Sequence, residues 1–250
     1  MLLWIHEFVT SLPRMPILTQ TARRILGSCA GLLTQDCLLC GASSGASLIC
    51  SACEADLPQL PVRLCPRCAL PTPAGEICGR CLAKPPHYDL TLAALRYDFP
   101  LDKLVQSFKY GHRLALAGYF GRRLAALLVG LPAELIVPMP LHPLRLRARG
   151  FNQALELARP VSKAWRIPID RQSCQRIRHT PAQADLPWRE RAANIRGAFQ
   201  CSADFTGKRL LLIDDVMTTG ASLDELARVV RLHGAEQVTL LVLARALAPA

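Results

Sequence analysis

The 250-residue sequence predicts an α/β protein with a doubly wound parallel sheet and a small cysteine-rich module ahead of it, on three observations. From about residue 90, apolar strand-like runs alternate with amphipathic helical stretches, the pattern of a sheet covered by helices. One run, Leu210 to Ile213, ends in paired acids and a turn of small and hydroxylated residues, Asp214-Asp215-Val216-Met217-Thr218-Thr219-Gly220-Ala221-Ser222. Eight of the eleven cysteines form four CxxC pairs, all in the first third of the chain.

Taken in order, residues 1–35 read as an N-terminal arm, amphipathic or merely frayed. They begin Met-Leu-Leu-Trp-Ile-His-Glu without a basic leader, and Arg14, Arg23 and Arg24 interrupt the rest of the arm, so neither a secretory signal nor a membrane span is expected. The longest apolar stretch, Leu124 to Leu141, carries Glu134 and three prolines, which suits a helix end, a loop and a buried strand better than lipid. A cytoplasmic protein that is not integral to a membrane is the expectation.

Residues 36–83 form the cysteine module: Cys37/Cys40, Cys50/Cys53, Cys65/Cys68 and Cys78/Cys81. A CxxC turn aims two sulfurs at one metal, and two such turns complete a closed tetrahedral Cys₄ site, so two structural Zn²⁺ ions are implied. Sequential pairing needs only nine-residue loops, and the sequence leaves interleaved pairing open. Disulfides are the competing reading, disfavoured in a chain without a secretory signal. Few large apolar residues lie in the module, so metal must supply most of its folding free energy, on the order of 10 kcal/mol per site. Cys29, Cys174 and Cys201 have no partner at metal spacing and read as small buried apolar residues. Residues 84–90, with Lys84-Pro85-Pro86-His87, read as a stiff linker.

The α/β domain spans 91–247. Strands are expected at Leu92 to Tyr97, Leu135 to Val137, Arg209 to Ile213 and Val238 to Leu243, with helices at Leu101 to Phe108, Leu114 to Val129, Gln153 to Trp165 and Ser222 to His233. Ligands of such sheets lie beyond the carboxyl ends of the strands, where the Asp214-Asp215 loop falls. A strand-to-helix loop offers free N–H groups and the positive end of a helix dipole, and hydroxyls of Thr218, Thr219 and Ser222 stand beside them, so a phosphate monoester is the expected guest. Gly220 allows its close approach. Two ionised carboxylates can accept both hydroxyls of a ribose diol, whereas one would suffice to cap a turn. Solvated acids on a capped turn are the bland reading.

The stretch resembles the PRPP-binding motif of type I phosphoribosyltransferases. By that resemblance Asp214 and Asp215 hold the ribose, Met217, Thr218, Thr219, Gly220, Ala221 and Ser222 line the 5-phosphate pocket, and Mg²⁺ accompanies PRPP or another ribose 5-phosphate. Purine-salvage members carry a carboxylate where this chain has Thr218, so oxopurine salvage is disfavoured.

The formal charge of +11, falling to about +7 with two zinc ions on eight thiolates, is concentrated in residues 142–196, with twelve Lys and Arg against four Asp and Glu. That is a candidate polyanion surface, or a solvated basic face. Arg145, Arg147 and Arg149, before Gly150-Phe151-Asn152-Gln153, are placed to neutralise a pyrophosphate, with Arg149 the candidate catalytic arginine beside Asp214 and Asp215. His142 reads as a structural hydrogen bonder. The polar segment through Thr180, Gln183, Leu186, Arg191, Asn194 and Phe199 is long for a connection and reads as a lid.

The four CxxC pairs, Arg149-Gly-Phe-Asn-Gln153, the Thr180 to Phe199 series and the Asp214-Asp215 motif together resemble the ComF/GntX family over roughly residues 35 to 245. That resemblance implies a double zinc ribbon joined to a phosphoribosyltransferase-like domain and a role in DNA uptake or utilization. It implies single-stranded DNA and other DNA-uptake proteins as partners. Two functions stay open, a PRPP-binding protein that handles single-stranded DNA and an active Mg²⁺-dependent phosphoribosyltransferase acting on an unidentified base or nucleotide precursor.

Overall fold

The computed structural model describes residues 35–178 and 195–247. The chain divides into two compact units, Met1–Ser51 and Ala52–Ala250. In the first, β1 (Gln35–Asp36) and β2 (Ser43–Gly45) form a short antiparallel hairpin. The division falls inside the cysteine module, so its second CxxC quartet belongs to the larger unit.

That larger unit is built on four parallel strands in the order β3-β8-β7-β4: β3 (Leu90–Arg96), β4 (Leu135–Pro138), β7 (Arg209–Met217) and β8 (Gln237–Arg245). β7 and β8 are central and almost wholly buried, which is why they read as unbroken apolar runs rather than alternating ones. Their residues still divide by parity. Leu210, Leu212, Val238, Leu240 and Val242 pack with Leu223, Leu226, Ala227 and Val230 of α7 (Ala221–Leu232). α4 (Ala115–Ala126) contacts β3 and β8, and α6 (Gln153–Trp165) contacts β4 and β7.

α4 and α6 pack closely because Gly121 faces Pro160; a Cβ at 121 would come within 2.0 Å of the proline ring. α3 (Leu101–Tyr110) buries Leu101, Leu104, Val105 and Phe108, the i, i+3, i+4, i+7 spacing of a helix with one apolar stripe. α1 (Ser51–Ala55) and α2 (Gly79–Ala83) are single turns at the second cysteine pair of each quartet.

Three elements depart from the expected layout. Pro143–Arg149 forms a short helix, α5, where the sequence suggested a loop. His142 Nδ1 accepts the N–H of Leu144 at its start, and Gly150, at φ +82, ends it. β7 runs to Met217, so Asp214 and Asp215 are strand residues rather than loop residues. Cys174 and Cys201 are buried as expected but face each other across the antiparallel pair β5 (Cys174–Arg176) and β6 (Phe199–Cys201), with Sγ atoms 3.1 Å apart.

The connection into the sheet is tied down at its end. His87 N donates to Asp224 Oδ1 at 2.7 Å, and the Asp89 carboxylate accepts from Val238 N and Arg231. Of the expected lid, residues 179–194 lie outside the described residues. Its end returns to the core, where Ile195, Ala198 and Phe199 are buried. Among the described residues no helix is long and apolar enough to cross a membrane.

Candidate functional site

The eight CxxC cysteines gather into two quartets by sequential pairing, Cys37/Cys40/Cys50/Cys53 and Cys65/Cys68/Cys78/Cys81, each with its sulfurs within 4.8 Å of one another. A tetrahedron with Zn–S bonds of about 2.3 Å has edges of about 3.8 Å. Cys40 and Cys50 lie 3.7 Å apart, and Cys68 and Cys78 3.6 Å. Both quartets therefore fit a closed structural zinc site. Each also favours one thiolate in advance: burial opposes ionisation of Cys37, but backbone N–H groups of Cys50, Cys40 and Leu39 outweigh it and bring the thiol down to about 6. Cys65 is brought to about 7 in the same way, with N–H donors from Cys78, Cys68 and Arg67. Burial pushes Cys68 and Cys81 up, and for Cys81 the neighbouring thiols of Cys68 and Cys78 add to it, the crowding that a divalent cation relieves.

The second site is a cavity of about 550 Å³ at the carboxyl ends of the strands. Asp214, Asp215, Thr218 and Ser222 line it from β7 and the turn into α7. Arg145 and Arg149 line it from α5, Gln153 from the start of α6, and Arg176 from β5. Met217, Thr219, Gly220 and Ala221 complete the turn, with Met217 buried beneath it. Gly220 sits at φ +83, so the turn needs glycine for its conformation, and a Cβ there would also press on Met217 Cε, the end of a flexible side chain, at 2.6 Å. Thr219 Oγ1 accepts the N–H of Ala221.

Lys109, Tyr97 and Tyr110 also line the cavity, and no local sequence signal singled them out. Lys109 Nζ lies 2.5 Å from Asp215 Oδ2. Burial alone would raise the Asp215 carboxyl, but the Lys109 ammonium outweighs it and holds Asp215 below the usual carboxylate range. Asp214 is pushed well above that range, first by burial and then by the charge of Asp215 beside it. The two neighbouring carboxyls are thus pushed in opposite directions, with the Lys109 ammonium against Asp215. Three arginines add positive charge to the same lining. Arg176 is brought down to about 10 by burial and by Arg145 nearby. Arg149 donates to Gln153 Oε1 at 2.6 Å and lies over the Tyr110 ring, 5.2 Å from its centroid. A cavity so supplied with guanidinium groups suits a multiply phosphorylated ligand. Oxygen donors suit Mg²⁺, and in company with a diphosphate Asp214 and Asp215 would hold it through oxygen.

Fold and site together define a double zinc ribbon protein with a phosphoribosyltransferase-type domain. The Double zinc ribbon domain family matches residues 29–82, and the Phosphoribosyl transferase domain family matches residues 169–250. The chain is 35% identical to the DNA utilization protein YhgH of Salmonella typhi over 207 residues, covering 80% of this chain and 91% of that one. It is 32% identical to Competence protein F of Haemophilus influenzae over 214 residues, covering 79% and 90%. A purine phosphoribosyltransferase from Pyrococcus horikoshii aligns over 51% of this chain and 70% of its own, with 19% identity and a TM-score of 0.34. The chain belongs to the ComF family of competence and DNA utilization proteins.

Proposed function

We propose that the cavity binds PRPP, or a closely related ribose 5-phosphate, in a cytoplasmic protein that handles single-stranded DNA during DNA uptake or utilization. The observation that carries the ligand is the joint lining of one cavity by an acid pair, a hydroxyl-bearing turn at a helix start and three arginines. In this reading the Thr218–Ser222 turn takes the 5-phosphate through N–H and hydroxyl donors. Asp214 and Asp215 take the ribose hydroxyls, and Arg149 with Arg145 faces the diphosphate. Mg²⁺, when bound with the ligand, would neutralise diphosphate charge.

The DNA part rests on the relatives' names and on basic residues outside the cavity. Arg147, Arg159, Lys163, Arg166, Arg171 and Arg178 are exposed, which suits phosphate contacts without sequence readout.

An active transferase is the second reading, favoured by the match to the Phosphoribosyl transferase domain family. There the residues position the sugar and stabilise departing pyrophosphate, with positioning and electrostatics supplying the rate. Calorimetry with Mg·PRPP tests binding: wild-type protein gives a saturable isotherm, and Asp214→Asn with Asp215→Asn weakens it at least tenfold. Unchanged affinity in a folded double variant would remove the acid pair from the site. Following PRPP by phosphorus NMR with bases and oligonucleotides present separates the readings, since only a transferase releases pyrophosphate.

A further inference from the structure

Arg245, the last residue of β8, is fully buried at 0% exposure and joins two structures distant in sequence. Its Nε donates to the carbonyl of Cys68, inside the second quartet, at 2.8 Å. Its Nη1 donates to the carbonyls of Met217 at 2.9 Å, Thr218, and Ala246 at 2.7 Å. One guanidinium therefore bonds a metal-site turn and the start of the phosphate turn at once. Neighbouring contacts run in parallel: Thr91 N and Oγ1 donate to the carbonyls of Pro66 and Arg67, and Arg67 Nη1 donates to Tyr88 O. Tyr88 is itself buried, with its hydroxyl 3.4 Å from where a Gly220 Cβ would stand.

A buried cation persists only where negative charge and acceptors surround it. The carbonyls supply acceptors to Nε and Nη1, while Nη2 is buried without one among the described residues; a tetrathiolate zinc centre, with four thiolates on a divalent ion, is formally dianionic. The residues around Cys68 thus fit zinc in charge as well as in geometry. The turn's carbonyl positions, and with them the direction of its N–H groups, depend on a side chain whose other anchor is folded by metal.

We propose that Arg245 is a positioning residue that couples the second zinc site to the ribose-phosphate turn, so that zinc at Cys65/Cys68/Cys78/Cys81 and ligand in the cavity strengthen each other. This rests on the reading of the cavity as a ribose-phosphate site. Coupling between sites is reciprocal, which supplies two readouts. Saturating Mg·PRPP slows zinc transfer from the full-length protein to a chromophoric chelator several-fold for one of its two ions. Removing that ion accelerates amide hydrogen exchange in residues 216–222 at least tenfold with no ligand present.

Arg245→Lys keeps the charge but cannot span both anchors. We expect it to retain two zinc ions and the wild-type circular dichroism, bind Mg·PRPP at least tenfold more weakly, and lose the effect of ligand on zinc transfer. If Arg245→Lys does not fold, Cys78→Ser, which leaves Arg245 in place, takes its role, and faster exchange at 216–222 there supports the coupling. Mg·PRPP that binds wild-type protein while leaving zinc transfer unchanged overturns the coupling and spares the binding site. If Mg·PRPP does not bind wild-type protein, the reading of the cavity fails, and the ligand-free exchange experiment decides the coupling alone: unchanged exchange after loss of the second zinc overturns it.

Discussion

Lys109 Nζ and Asp215 Oδ2 lie 2.5 Å apart in the wall of the cavity, one at the end of α3 and the other in β7, 106 positions later in the chain. Their side chains are 19% and 4% exposed, so neither charge has much access to water. Breaking such a pair on one side leaves the other charge buried alone, at a cost of about 3 kcal/mol or more. Lys109→Met should lower stability by about that amount, and adding Asp215→Asn should recover most of it. Urea midpoints of the two variants measure this directly. A single variant with wild-type stability would show that Asp215 finds another cation.

The same pair predicts a pH dependence with a definite sign. Asp215 is held low in the folded protein, so its stabilising contribution is complete above the ordinary carboxylate range and fades as pH falls through its lowered folded value. Removing Lys109 should move that acid limb toward neutral pH. Asp214 is held high, so its contribution is complete in acid and is lost as pH rises through its folded value. The neighbours should therefore differ: at pH 8 Asp214→Asn raises the urea midpoint or leaves it unchanged, whereas Asp215→Asn lowers it. Midpoints lowered equally by both substitutions would remove the asymmetry argued for the pair.

Zinc removal should also distinguish the quartets. Reduced protein should carry two zinc ions per chain, and Cys37→Ser or Cys65→Ser should each leave one, counted by metal analysis. Cys65, Cys68 and Cys81 belong to the same buried cluster as Leu210, Leu212 and Val242, whereas Cys37 does not. Cys65→Ser should accordingly depress the thermal midpoint of the α/β domain. Protein that holds no zinc under reducing conditions would overturn both sites.

The parts of this molecule that were legible in the sequence are those whose signal is local. Four CxxC turns, the apolar runs of β7 and β8, and the Asp-Asp turn each declare themselves within a dozen residues. Lys109 does not, because its partner is in a strand 106 positions later and the apolar stripe of its helix stops at Phe108, one residue short. α5 was missed because Leu144 and Leu146 alternate with arginines at a spacing of two, which no helical stripe produces; both leucines are exposed. The nearness of Cys174 to Cys201 depends on the register of β5 with β6. Arg245 falls two residues beyond the strand expected at Val238 to Leu243, and its importance comes from what two other segments bring to it. Apart from α5, what the linear pattern withheld is long-range pairing.

The basic segment 142–196 divides in the structure into residues that line the cavity and residues that do not, and the division yields a test of DNA binding. Arg145 lines the cavity, whereas Arg147, two positions on in α5, is exposed and is not among the lining residues. If the exposed arginines carry single-stranded DNA, affinity should fall with salt by roughly 0.7 log units per phosphate neutralised for each log unit of salt, with little dependence on base identity. Arg147→Glu should weaken binding to every oligonucleotide alike and flatten the salt slope, because phosphate contacts position a strand without reading it. Its Mg·PRPP affinity and zinc content should stay at wild-type values. Arg145→Glu should weaken both ligands, since its charge serves the cavity as well. Fluorescence anisotropy with an oligonucleotide of about thirty nucleotides, several times a typical site size, makes the comparison. No binding at low salt would exclude direct DNA handling by this chain, and an Arg147→Glu variant that bound DNA normally would move the DNA surface off α5.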